Sequence, residues 1–105
     1  MESTRMQQIR HMLLSEPEDE FLNYAFALEL EKSGALSEAI KVIEGILLKN
    51  ETYTGAYYKL GNLFEQTGQK QKAMDTYRKG MEMTKNKNER KAFNELNEAL
   101  QNLED

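Results

Sequence analysis

Shifted against itself by 34 residues, the chain aligns Tyr24 with Tyr58, Glu31 with Glu65, Gly34 with Gly68 and Ala39 with Ala73. Similar residues fill the positions between them: Phe26 meets Leu60, Ala27 meets Gly61, Leu30 meets Phe64, Ser33 meets Thr67, Ile40 meets Met74, Ile43 meets Tyr77 and Leu47 meets Met81. Small residues fall on small and large apolar ones on large. A period of this length marks a supersecondary unit that cannot bury its apolar face alone and must stack on neighbours.

Each unit reads as two amphipathic helices around a glycine. The apolar spacing predicts a helix from about Glu18 to Ser33, ended by Gly34, and a second from about Leu36 to Lys49. The next unit repeats the arrangement, with a helix from about Thr54 to Thr67, a stop at Gly68, and a helix from about Lys70 to Thr84 carrying Ala73, Tyr77 and Met81 on one face. Glycine suits both stops because a left-handed residue commonly ends a helix. Two flanking helices follow from Met6, Ile9, Met12 and Leu13 near the amino terminus, and from Ala92, Phe93, Leu96, Ala99, Leu100 and Leu103 near the carboxy terminus. Ser15 with Glu18, and Asn86 with Glu89, have the spacing of capping boxes for the first repeat helix and the last helix. The expected fold class is all-α, an antiparallel stack of about six helices.

At Tyr57, Leu60, Gly61, Phe64, Gly68, Ala73, Tyr77 and Gly80 the second unit closely resembles the tetratricopeptide repeat family. The first unit keeps Leu30, Gly34 and Ala39, but has Asn23 where the family prefers a large aromatic, Ala27 for the usual glycine and Ile46 for the usual small residue. Pro17 falls where the family's closing proline would sit if the amino-terminal helix were the second half of a truncated preceding repeat. The resemblance implies a right-handed superhelical stack of helix pairs. It divides one domain spanning 1–105 into an amino-terminal helix at 1–16, a first repeat at 20–53, a second at 54–87 and a carboxy-terminal capping helix at 88–105. Ala27, Ala39, Gly61, Ala73 and Gly80 fit positions where helices approach closely and a larger side chain would force them apart.

In this family the first helix of each repeat lines a concave groove that binds peptides or helical segments of partner proteins. Carried onto this sequence, that surface takes Phe21, Tyr24, Leu28 and Glu31 from the first unit, and Gly55, Tyr58, Lys59, Asn62 and Glu65 from the second. The spacing of three and four puts each set on one helix face. Some members grip a terminal carboxylate with lysines, arginine and asparagines. Only Lys59 and Asn62 suit that here, and the matching face of the last helix carries Ala92, Phe93 and Leu96, so the groove reads as mixed rather than cationic. The stretch from Phe21 to Leu30 is apolar almost all round and needs cover, either from a partner or from Ile9 and Met12 of the amino-terminal helix.

Composition narrows the function further. Eighteen acidic against fourteen basic side chains leave a net charge of −4, which argues against attraction to nucleic acid phosphates. With no cysteine there are no disulfides, thiol catalysis or thiolate metal sites, and a cytoplasmic location is the default expectation. Arg5, Gln7, Gln8, Arg10 and His11 interrupt the first fifteen residues, so no signal peptide or membrane span is expected there. His11 is the single histidine, and no phosphate loop, metal-ligand pair or catalytic constellation accompanies it, so neither an enzyme nor a cofactor or metal site is expected. The acids Glu16, Glu18, Asp19 and Glu20 read as dipole-complementing residues at a helix start. The basic run Arg78, Lys79, Lys85, Lys87, Arg90 and Lys91 reads as a solvated edge at a helix junction, with an acidic segment of a partner as the alternative. The expectation is a protein-interaction module that takes a peptide or helix of a partner protein in its groove. The alternative is a self-associating structural subunit, a homodimer or a fixed component of a larger assembly.

Overall fold

The computed structural model describes residues 2–104, so Met1 and Asp105, the outermost residues of the two expected flanking segments, lie outside the described residues. Six α-helices and no strand occur among the described residues: α1 Thr4–Ser15, α2 Glu20–Lys32, α3 Leu36–Lys49, α4 Gly55–Gln66, α5 Lys70–Asn86 and α6 Arg90–Glu104. The fold class is all-α, as the periodicity predicts. The chain divides into two compact units, Met1–Lys49 and Asn50–Asp105.

In the first unit α2 packs against both α1 and α3. Its core is Met6 and Ile9 from α1, Leu22, Ala25, Ala27 and Leu30 from α2, and Ala39, Ile40, Ile43 and Ile46 from α3. Met12, expected on the buried stripe of α1, is instead 45% exposed, and the stripe narrows to Met6, Ile9 and the half-buried Leu13. The seam between α1 and α2 is pinned by the buried Glu29, whose carboxylate faces Arg5 at 3.4 Å and Lys32 at 3.6 Å and accepts from the Ser3 hydroxyl at 3.3 Å. Arg10 adds a cation–π contact, 4.7 Å from the centre of the Phe26 ring.

Capping in this unit departs from the sequence reading. Asp19, rather than the Ser15–Glu18 pair, starts α2: its side chain accepts from the Leu22 backbone N–H at 2.8 Å. Asp19 sits nearer the helix and combines the preferred N-cap chemistry with a charge suited to the dipole. Asn23 accounts for the missing aromatic at its position, because its amide donates to the carbonyls of Pro17 at 3.0 Å and Asp19 at 2.9 Å and so ties the entry loop to the helix. Lys49 at the end of α3 pairs with Glu18 of the same loop.

In the second unit α5 packs against both α4 and α6. The core comprises Ala56, Tyr57, Leu60, Leu63 and Phe64 from α4, Ala73, Tyr77 and Met83 from α5, and Leu96 and Leu100 from α6. Thr84 is fully buried as well, with its hydroxyl returned to the carbonyls of Gly80 at 2.9 Å and Met81 at 3.1 Å. The segment leading into α4 is fastened at three points. Tyr57 donates to the Glu51 carbonyl at 2.6 Å, Thr54 donates to Glu89 at 2.6 Å, and Lys87 donates to the Thr52 carbonyl at 3.1 Å.

Three helices end in one geometry. Gly34 follows α2 at φ +87° and Gly68 follows α4 at φ +74°, each with the next residue's N–H returned to a carbonyl five residues back. Asn88 does the same after α5 at φ 62°, with the Glu89 N–H bonded to the Thr84 carbonyl at 2.8 Å. Asn86 therefore closes α5 instead of opening α6, and the expected Asn86–Glu89 capping box does not form. Asparagine is the non-glycine residue that most readily takes the left-handed conformation, because its short polar side chain bonds locally.

A contrast between glycines follows. A Cβ would meet nothing within 4 Å at either Gly45 or Gly68, so only backbone preference separates them. Gly45→Ala, inside α3, should stabilise by about 0.5–1 kcal/mol, whereas Gly68→Ala should destabilise by about 1–2 kcal/mol because it forces a left-handed alanine. Urea unfolding of the two variants checks the opposite signs; a shift in the same direction would contradict the reading.

Candidate functional site

The site grows from one close approach. α4 and α5 meet at Gly61, where a Cβ would collide with Cε1 of the Tyr77 ring and lie 2.6 Å from its Cζ. The ring therefore occupies the space that any other residue at position 61 would fill. Three residues further along α5, a Cβ on Gly80 would lie 2.6 Å from Cβ of Tyr57 on α4 and 3.0 Å from Cδ1 of Leu96 on α6. These two glycines let α5 lie tightly between α4 and α6, and Tyr77, fully buried, fills the first seam.

Its hydroxyl then reaches α4. Tyr77 donates a short hydrogen bond to the Glu65 carboxylate and accepts from the Asn62 side-chain amide at 2.8 Å. Burial, reinforced by the hydrogen bond to Glu65, pushes the phenol well above its ordinary value of 10.0. The result is a neutral donor that holds two residues of α4 in fixed rotamers. The Tyr58 ring stands beside it, tilted 41° with centroids 6.2 Å apart.

Above this floor lies a cleft of about 620 Å³, walled by Tyr58, Asn62, Glu65 and Gln66 of α4 and by Glu95, Glu98, Ala99 and Asn102 of α6. Tyr58, Asn62 and Glu65, three of the residues expected from the second unit, are thus brought together. Lys59 is half-buried and Gly55 exposed, and neither lines the cleft. The expected α6 face of Ala92, Phe93 and Leu96 does not line it: Leu96 is buried in the core and Phe93 borders a separate depression of about 200 Å³ with Thr84, Lys85, Asn88, Glu89 and Arg90.

The signal that locates that wall is a change of register. Leu60 and Phe64 are buried on α4, and their counterparts Leu96 and Leu100 on α6 lie 36 residues further on, not 34. α5 runs to 17 residues where α3 has 14, which carries α6 past the repeat.

In the first unit the four expected residues lie on α2. Phe21 is 70% exposed, and Tyr24, Leu28 and Glu31 are half-buried. A depression of about 320 Å³ opens beside α2 and α3, lined by Pro17, Glu18, Glu20, Asn23, Lys41, Val42, Gly45, Ile46 and Lys49, and none of the four borders it. His11 is exposed on α1. Among the described residues, no three His, Cys, Asp or Glu side chains are grouped to hold a metal ion, and no helix is long and apolar enough to cross a membrane.

The tetratricopeptide repeat family model matches residues 54–87, which span α4 and α5. The solution structure of a tetratricopeptide repeat domain protein from Salinibacter ruber is 35% identical, with 84% of this chain and 89% of that chain covered and a TM-score of 0.81. A crystal structure of the tetratricopeptide repeat domain from the same organism is 34% identical, covering 82% of this chain and 96% of that one, with a TM-score of 0.77. This chain belongs to the tetratricopeptide repeat family. A protein from Bordetella parapertussis shares the fold at 17% identity, with a TM-score of 0.84 over 98% of this chain and 89% of that one. Curated proteins yield no match. The tetratricopeptide fold generally mediates protein–protein interaction or scaffolding, and it is typically non-enzymatic.

The Tyr77 phenol makes stability depend on alkaline pH. Its proton is held more tightly in the folded chain than in the unfolded one, so its contribution is complete below the ordinary value of 10.0 and declines as pH rises beyond it. Tyr57 shifts in the same direction, through burial and then the nearby Glu51 and Glu82 carboxylates. Urea unfolding should therefore show stability falling from pH 10 upward, with a shallower fall in Tyr77→Phe. That variant should also lose about 0.5–1.5 kcal/mol at neutral pH from the missing hydroxyl. An alkaline slope equal in both proteins would contradict the assignment.

Proposed function

We propose that the chain is a protein-interaction adaptor, and that the cleft between α4 and α6 holds a peptide or helical segment of a partner protein. The observation that carries this reading is the fixed floor of the cleft. Asn62 and Glu65 are anchored by a buried tyrosine, so a partner meets side chains already in place and less side-chain freedom is lost on binding. Tyr58, 43% exposed beside them, supplies a large face with few torsions to order. Asn62 carries a donor and an acceptor suited to a backbone amide. Phe21, Tyr24, Leu28 and Glu31 of α2 provide a second contact surface in the first unit, and Lys59 a peripheral one in the second. On this reading the protein works in the cytoplasm and needs no cofactor.

A second reading draws on a different observation. Leu14, Phe21 and Leu48, at 81%, 70% and 89% exposure, leave large apolar side chains in water on the first unit, which favours pairing of two copies. One set of samples separates the readings. Tyr58→Ala should remove a defined set of partners from an affinity purification of the tagged protein while the helical circular dichroism is kept. Light scattering at several concentrations should give a constant monomer mass. Unchanged capture by Tyr58→Ala would overturn the cleft assignment, and a mass that rises with concentration and falls on Phe21→Ser would favour self-association.

A further inference from the structure

The walls of the cleft carry charge of one sign. They comprise three glutamates, a glutamine, two asparagines, a tyrosine and an alanine, and no lysine or arginine. The acids sit on both sides, Glu65 on α4 and Glu95 with Glu98 on α6, where a spacing of three puts the last two on one helix face. Arg90 and Lys91, earlier on α6, border an adjoining depression that Glu95 and Glu98 also reach, but they do not line the cleft.

Resting on the adaptor reading above, we infer that the segment held in this cleft is basic, a stretch of another protein that presents lysine or arginine side chains to Glu65, Glu95 and Glu98. Charge complementarity selects it. A guanidinium or ammonium between the two walls meets carboxylates from both, whereas an acidic segment meets like charge on either side. The Tyr58 face offers the same cation a π surface at the cleft wall. The Tyr77 hydrogen bond occupies one Glu65 oxygen and fixes the side chain, leaving a carboxylate with further acceptor capacity directed by the fold. Asn62 and Asn102, one from each wall, remain to pair with the backbone of the bound segment. The family's fold alone would accept several chemistries, and this set of walls narrows them to one sign of charge.

Fluorescence anisotropy with three labelled peptides of equal length and equal aromatic content tests the inference, one rich in Lys and Arg, one in Ser and Gln, one in Asp and Glu. The basic peptide alone should bind, more weakly as salt is raised. Glu95→Gln with Glu98→Gln should weaken it roughly tenfold, a change of about 1.4 kcal/mol. Both positions are exposed and glutamine matches glutamate in helix propensity, so folding should be kept, with circular dichroism as the check. Glu38→Gln with Glu44→Gln on α3, neither of which lines the cleft, makes the same change in net charge and should weaken binding less than about twofold. Equal weakening by both pairs would mean diffuse attraction to a protein of net charge −4 and would overturn the inference. Equal binding of the Ser and Gln peptide would overturn it too while leaving the adaptor reading intact, and no binding by any of the three would overturn both. A mass that rises with concentration in the wild type but not in the Glu95→Gln, Glu98→Gln protein would assign the cleft to a second copy and count against the inference.

Discussion

The second unit depends on the contact between Gly61 and the Tyr77 ring. Dispersion and burial reward close packing only when the surfaces match, and here the match is made by removing a side chain from one helix and placing a large ring on the other. Position 61 tolerates no Cβ at this separation, and Tyr77 is buried without remainder. The polar end of the ring cannot be left unpaired at that depth, and Asn62 and Glu65 on the neighbouring turn of α4 satisfy it. A packing requirement thereby fixes two residues of the cleft, so that one tyrosine joins core and surface.

The two units solve the same problem with different means. Ala27 stands where the second unit has Gly61, and Ile43 where it has Tyr77; both are buried, and isoleucine has no hydroxyl to donate to the neighbouring helix. The first unit's polar reinforcement lies at the other seam, where Glu29 gathers Arg5, Lys32 and Ser3 between α1 and α2. The family model matches the second unit, at 54–87, and the candidate cleft lies in that unit too.

What was legible in the sequence follows from which residues act alone. Gly34 and Gly68 declare themselves because a left-handed stop is a property of the residue itself, and both recur at the repeat spacing. The same stop after α5 went unread because Asn88 performs it, and Asn86 with Glu89 imitated a capping box of the correct spacing. Asp19 reads as a dipole-complementing acid from its position alone, and the structure makes it the cap itself. Tyr58, Asn62 and Glu65 come from the family resemblance, and they lie on one face of α4 along the cleft. Glu95 and Glu98 could not, since their position depends on the longer α5 and a register of 36 rather than 34. The pairing of Leu96 and Leu100 with Leu60 and Phe64 was the available clue, and it becomes decisive only once Leu96 is seen against Gly80. The Tyr77–Glu65 bond joins residues on two helices, and no local pattern announces such a pair.

A double-mutant cycle on Gly61→Ala and Tyr77→Leu tests the central claim most directly, with stability read by urea unfolding. Gly61→Ala should cost about 1–3 kcal/mol in the wild-type protein, where the ring cannot yield. In the Tyr77→Leu background, where the ring is gone, it should cost little, giving a coupling energy of about 1 kcal/mol or more. Equal costs in the two backgrounds would mean that the seam does not depend on this contact and would contradict the account.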